Sequence, residues 1–269
     1  MEVPLQEIHA QVLALHEQVK FKKLSIAIPQ TLLLQSLMLA NCSYGEGVEK
    51  LSSQGFVDTC YFTRNIFQKY NQAPVSKAVN SVKNILNIKR RIMQNNLNAV
   101  FTSLYRPEKT VVCIAIAGTT KNIHDWQVNM DMETEQGYHK GYLQNTKQLL
   151  ALANVVEFPN IAKSLGLTKL SLQDVIEECK QENSRFVLWF TGHSKGAALL
   201  QVAMSLLQAE GVKHMLGIGF AAPAVVNHSF GGTRANLPIL LLQNSADVVG
   251  RLASNFHLGY ILQFHGVGN

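Results

Sequence analysis

Cysteine is scarce and dispersed: Cys42, Cys60, Cys113 and Cys179 form no C-x-x-C unit in the 269-residue chain. That spacing points to neither a zinc site nor a redox pair, and Cys113, set in an apolar run, is expected to be buried as a small hydrophobe. Long apolar runs are missing too. The greasiest segment, LSIAIPQTLLLQSLMLA from Leu24 to Ala40, is broken by Pro29, Gln30 and Gln35, which makes it a poor bilayer span. The opening residues MEVPLQEIHAQV have neither the basic start nor the unbroken apolar stretch of a secretion signal. Free thiols without a signal predict a reducing, cytoplasmic setting or export by an unconventional route, and no transmembrane segment. Internal repeats and Pro/Gly/Ser linkers are absent, so residues 1–269 are expected to form a single domain, with residues 1–95 mainly helical.

The chain does carry a formal charge of +6 and 47% hydrophobic residues. Such a balance describes an ordinary globular core under a surface that tolerates anionic company, such as an acidic membrane face. The basic residues fall in two short clusters, Lys20, Lys22 and Lys23, then Lys89, Arg90 and Arg91. No aromatics are spaced among them for base stacking, so no nucleic acid partner is expected.

Helical periodicity runs over Leu5–Lys20, Gln30–Ala40 and Ser76–Met93. In the third, Val82, Ile85, Leu86, Ile92 and Met93 share one stripe. The pattern predicts a helix covering the core, in preference to a lid or membrane-facing helix. From Thr110 the pattern becomes strands alternating with helices. TVVCIAIAGT, RFVLWFTG, HMLGIGFAAP, PILLLQNS and GYILQF are strand candidates; Gln144–Val156, Ser171–Glu182 and Lys195–Ala209 are helix candidates. Near-continuous apolar strands between helices predict an α/β fold, a mostly parallel sheet covered on both faces, with functional residues at the carboxyl ends of the strands.

The sharpest motif is G-H-S-K-G at Gly192–Gly196. A nucleophilic serine on a strand-to-helix elbow needs glycine two places to each side, because the strand and helix approach closely there. Average composition gives such a motif by accident in about one chain in ten of this length, so the context decides. Here an apolar, β-prone segment precedes Ser194 and a helix-prone one follows. Chain order on such a fold is serine, acid, histidine. After Ser194 the carboxylates are Glu210 and Asp247; Glu210 lies roughly 24 Å along the helix at about 1.5 Å per residue, which removes it. His257 and His265 follow Asp247, and His257, placed before the last strand candidate, is the better candidate base. His193 is expected to hydrogen-bond or pack behind the elbow, and His214 to open a strand. Backbone amides of Lys195 and of Thr119, in the loop after TVVCIAI, are the candidate oxyanion donors. Such chemistry requires no metal or organic cofactor.

In order along the chain, AGTT, Asp125-Trp126, HKGY, GHSKGA, GFAAPAVVN, DVVGRL and HLGY resemble the motif series of the class 3, fungal-type lipases. SLMLANCSYGEGVEKLSSQGF resembles that family's amino-terminal helix and Tyr-containing turn. The resemblance covers roughly residues 30 to 264 and implies an α/β-hydrolase fold. It implies a triad of Ser194, Asp247 and His257, with Thr119 and Lys195 forming the oxyanion hole, and a lipid or other acyl ester as substrate. Departures are local: Ala117 stands where the family has Arg, Lys195 where it has Leu, Ala197 where it has Gly, and Gly250 where it has Pro. Ala224 and Val226 replace the Arg and Gly of P-R-V-G-N. These changes bear on the acyl pocket and efficiency more than on the fold. Some relatives keep the fold as scaffolds without hydrolysis, so a silent scaffold binding a protein or lipid is the alternative.

Overall fold

A computed structural model describes residues 4–20, 28–63, 66–69, 97–119, 134–231, 237–245 and 256–264. The amphipathic segment Ser76–Met93, Asp125-Trp126, Asp247, His265 and most of the two basic clusters lie outside them. Two helices open the chain, α1 (Leu5–Lys20) and α2 (Gln30–Cys42), followed by strands β1 (Val57–Thr63), β2 (Ile66–Lys69), β3 (Asn98–Leu104) and β4 (Thr110–Ile116). A two-strand ribbon, β5 (Thr134–Glu135) and β6 (Tyr138–His139), leads into α3 (Lys140–Ala151), α4 (Pro159–Ser164) and α5 (Leu172–Glu178). Then come β7 (Phe186–His193), α6 (Lys195–Ala209), β8 (Met215–Phe220), β9 (Ile239–Asn244) and β10 (Tyr260–Phe264).

Eight strands form one sheet in the order β10-β9-β8-β7-β4-β3-β1-β2. The five from β10 to β4 pair in parallel, and β3, β1 and β2 continue the sheet antiparallel. This is the mostly parallel α/β architecture that the apolar strands predict. Alternation along β7 explains its two-sided burial: Phe186, Leu188 and Phe190 join the core beneath α3–α6, whereas Val187 and Trp189 join the core beneath α1 and α2. Every residue of β7 from Phe186 to Gly192 is buried, so the strand carries no solvent face and its sequence shows no polar alternation.

Local signals set the helix ends. Ala and Leu dominate α6, and Gly211, at φ 92°, closes it through Val212 N donating to Leu207 O at 3.0 Å. Ser171 and Asp174 form a reciprocal capping box on α5. The predicted helix over Gln144–Val156 starts earlier, at Lys140, because His139 caps it. Strands β1 and β2 occur where helical periodicity dominates the first part of the chain. A register shift between Val57 and Cys60, with Asp58 at φ 54°, breaks the alternation by which β1 would be recognised. The Asp58 carboxylate instead accepts from the backbone N–H groups of Asn160 and Ile161, both at 3.0 Å, and so caps α4 from the neighbouring strand.

All four cysteines are buried and none forms a disulfide, Cys113 being fully buried. Burial pushes the Cys113 thiol well up and the Cys179 thiol up to about 12, which keeps both protonated and unreactive. Among the described residues no helix is long and apolar enough to cross a membrane.

Candidate active site

Ser194 is the residue between β7 and α6, at the carboxyl end of a strand in the middle of the sheet. Its backbone has φ 56° and ψ −124°, a conformation costing a non-glycine residue on the order of 1–3 kcal/mol. The turn persists because both sides of it are anchored. Ser194 N donates to Phe220 O of β8 at 2.9 Å, and Ala198 N to Ser194 O at 3.1 Å. A Cβ on Gly196 would collide with the carbonyl oxygen of Ile116 in β4, so only glycine lets α6 begin this close to the sheet. This is the geometry that the G-x-S-x-G spacing predicts for a nucleophile elbow.

The loop after β4 lies against the elbow. A Cβ built on Gly118 would stand 3.2 Å from Ser194 Cβ and 2.7 Å from the His193 carbonyl oxygen. The next residue is Thr119, a candidate oxyanion donor, which is half-buried. Tyr44, from the turn after α2, holds this loop: its hydroxyl accepts from Gly118 N at 3.0 Å and sits 3.2 Å from His193 Nδ1. His193 therefore makes the hydrogen bond expected of it behind the elbow, although it is exposed rather than packed. His214 precedes β8 as expected, buried, with Nε2 3.0 Å from the carbonyl oxygens of Gln181 and Glu182.

Lys195, the other candidate oxyanion donor, occupies the first turn of α6 and is 8% exposed. Burial of its side chain lowers the ammonium pKa from the ordinary lysine value. The positive end of the helix also disfavours a cation there, so the side chain is a costly presence beside the serine.

His257 reaches the carboxyl edge by a route the sequence does not spell out. Val226, in the loop after β8, bridges Tyr138 on one side and Phe256 on the other, and Phe256 N donates to Val226 O at 3.0 Å. From there the chain descends over β9: His257 lies at Gln243 and Gly259 packs on Ile239, before β10 begins. Two buried amide side chains fix this descent. Gln201 of α6 accepts from Leu258 N at 2.9 Å, while its Nε2 donates to Ala197 O at 3.1 Å and Pro223 O at 3.2 Å. Gln243 Nε2 lies 2.9 Å from Ala222 O and 3.3 Å from His257 Nε2. One glutamine thus ties the elbow helix, the loop after β8 and the histidine arm together. Asp247, three residues beyond the end of β9 at Asn244, lies outside the described residues.

The structure therefore brings Ser194, Lys195 and the loop of Thr119 together, and tethers His257 to α6 and β9. Sequence reasoning passed over Gln201 and Gln243. Their signal was present: each is a polar residue interrupting an apolar run, at a position that the helical or strand period turns toward the core.

Solved structures share this architecture at low identity. A fungal lipase–inhibitor complex superposes with a TM-score of 0.50 at 17% identity, covering 82% of this chain and 72% of that one. A mutant of MDLA from Penicillium cyclopium gives 0.51 at 15% identity, covering 90% and 84%. The lipase from Rhizopus microsporus var. chinensis gives 0.48 at 14%, covering 82% of this chain and 67% of its own. No curated protein sequence matches with comparable significance. The first two of these likenesses show the α/β-hydrolase fold. The model of the family Lipase (class 3) matches residues 113–257. Because that match spans more than half of the sequence and includes both the elbow and His257, the chain belongs to the class 3 lipase family.

Proposed function

We propose that the chain is a serine ester hydrolase that cleaves acyl esters of lipids, as a lipase or phospholipase, through an acyl-enzyme. The Ser194 hydroxyl gives its proton to His257 Nε2 as Oγ attacks the ester carbonyl. The oxyanion takes hydrogen bonds from the amides of Thr119 and Lys195, and Asp247 orients the imidazolium. Collapse breaks the acyl carbon–oxygen bond and His257 returns the proton to the leaving alkoxide. Water then repeats the sequence on the acyl-enzyme, releasing the acid and restoring Ser194.

The observation that carries this reading is the strained backbone of Ser194 at the end of a central parallel strand, within the segment that matches the lipase family. Strain at a non-glycine residue is retained where function needs it, and here it presents one hydroxyl at the head of a helix. The formal charge of +6 supports peripheral contact with an anionic membrane surface, where such substrates reside. The second reading, a silent lipase-like scaffold that binds a protein or lipid, draws support from the Gln243 contact, which occupies the imidazole nitrogen that the serine requires.

Hydrolysis of p-nitrophenyl, triacylglycerol and phospholipid esters by the wild type, Ser194→Ala, His257→Ala and Asp247→Asn separates the two. The hydrolase reading expects turnover by the wild type and a loss on the order of 10³-fold or more in each variant. A folded wild type that hydrolyses none of the panel would favour the scaffold.

A further inference from the structure

Lys195, the first residue of α6, is only 8% exposed, and among the described residues no carboxylate, hydroxyl or carbonyl pairs with its ammonium. Burial alone lowers its pKa, with no neighbouring charge acting on it. Lysines nearer solvent are matched: Lys147, Lys169 and Lys180 each meet a glutamate, at 2.9, 3.1 and 2.8 Å. A buried charge is ordinarily paired because desolvation is costly, so the buried lysine without a partner is the anomaly. Its place on the helix gives it a direction. Gly196 faces Ile116 of β4 and Ala197 faces Gly219 of β8, so Lys195 falls on the face of α6 turned from the sheet. Helical side chains lean toward the amino terminus, and for α6 that is the edge where Ser194 lies. The stem is packed away but the nitrogen is not sealed, unlike Trp189 Nε1, which is shut in the core without a partner. First-turn amides add a positive potential at the same end, so ammonium and helix terminus both favour an anion there.

We propose that Lys195 is a specificity-determining residue whose ammonium pairs with a phosphate carried by the ester, so that the substrates are glycerophospholipids in preference to uncharged acylglycerols. The inference rests on Ser194 being the nucleophile toward lipid esters, and it narrows that reading to one class. The transient oxyanion is taken by backbone amides, which leaves the ammonium for a second negative group. In a lipid ester the acyl chain is hydrocarbon, and the anion on offer is the phosphate, which a glycerophospholipid carries on the carbon next to one of its acyl esters. Ser194 and Lys195 are consecutive, with Cα atoms about 3.8 Å apart, so a lysine stem can reach a group that close to the attacked carbonyl. Opposite charges attract more strongly in such a desolvated place than in water. An uncharged ester leaves the ammonium buried and unpaired, and a site built for a polar group discriminates against the analogue that lacks it.

Dihexanoyl phosphatidic acid and dihexanoylglycerol, each below its critical micelle concentration, present the same esters with and without the phosphate, and without a charged surface. For the full chain, kcat/KM of the wild type is expected to favour the phosphate-bearing member roughly tenfold or more, the size of one charge-assisted hydrogen bond. Lys195→Met, similar in length and uncharged, is expected to bring that ratio close to one. The ratio cancels any effect of the substitution on the backbone amide, which acts on both esters. Lys163→Gln removes an equal charge from an exposed residue of α4 and is expected to keep the wild-type ratio. A wild type without the preference would overturn the proposal. So would a ratio that survives Lys195→Met, which would place the ammonium on the oxyanion or nowhere in the reaction, or one that falls as far in Lys163→Gln, which would assign it to net charge. Failure of the underlying reading looks different: Ser194→Ala hydrolysing either ester at the wild-type rate, or a folded wild type hydrolysing neither, would remove the serine hydrolase and the phosphate selection with it.

Discussion

Ser194 and His257 are held in opposite ways. The serine is held by main chain: a strand on each side, a carbonyl of β8 on its amide, and a glycine that lets α6 start against Ile116. The histidine follows a main-chain bridge between Phe256 and Val226, but beyond it is held by side chains, Gln201 on the amide that follows it and Gln243 on its ring. Backbone geometry is rigid and intolerant of added atoms, whereas an amide side chain can be deleted while the fold survives. The elbow should therefore fail by collapse, and the histidine arm by loss of register.

Gly196→Ala is the strongest test of that contrast. The added Cβ meets the Ile116 carbonyl oxygen, so α6 must shift off the sheet. A loss of stability on the order of 3 kcal/mol is expected, with ester hydrolysis falling more than tenfold, checked by urea unfolding alongside turnover. A stable, active variant would mean that the elbow has slack.

Gln201→Leu removes the bonds to Leu258 N, Pro223 O and Ala197 O from a fully buried site. Stability should drop by about 2 kcal/mol as buried donors and acceptors lose their partner. Turnover per folded molecule should fall as well, because the histidine arm is released while Ser194 keeps its main-chain anchors. Equal stability loss with unchanged kcat would show that Gln201 supports the fold alone, and the contrast between the two arms would narrow.

Lys195→Leu is the smallest effect and has the opposite sign. The buried ammonium disfavours the native state, so leucine should stabilise the protein by about 1 kcal/mol at neutral pH and, if the proposed mechanism holds, leave hydrolysis of neutral esters within a few-fold, since that mechanism uses the amide rather than the ammonium. The pH dependence follows from the lowered pKa. The folded state prefers the neutral amine, so this group's contribution is favourable above the ordinary lysine value of about 10.4 and is lost as pH falls through the lower folded value. The gap between wild type and variant should close as pH rises toward that range, which chemical unfolding at several pH values measures. A near-total loss of hydrolysis would instead place the ammonium in the reaction.

The same contrast explains what could be read from the sequence. The elbow is a local device: Gly192, Ser194 and Gly196 fall within five residues, between a β-prone and a helix-prone run, and the helix begins and ends where those runs predict. The parallel strands β4, β7, β8 and β9 were legible for a related reason, since two-faced burial leaves unbroken apolar runs. Strand β1 was hidden by the register shift at Asp58, whose side chain serves a helix 102 residues away. The supports of the histidine arm were hidden by distance: Gln201 meets Leu258 across 57 residues, and Gln243 meets His257 across 14. A single sequence shows a glutamine in an apolar run, but only the fold shows which backbone or ring it satisfies.

Covalent labelling with a fluorophosphonate tests the central claim, that the hydroxyl on the elbow is activated by the imidazole on the other arm. The account predicts one adduct on wild type, mapped by peptide mass spectrometry to Ser194, absent in Ser194→Ala and formed at least a hundredfold more slowly in His257→Ala. An adduct that survives Ser194→Ala, or one that forms as fast without the imidazole, would contradict it.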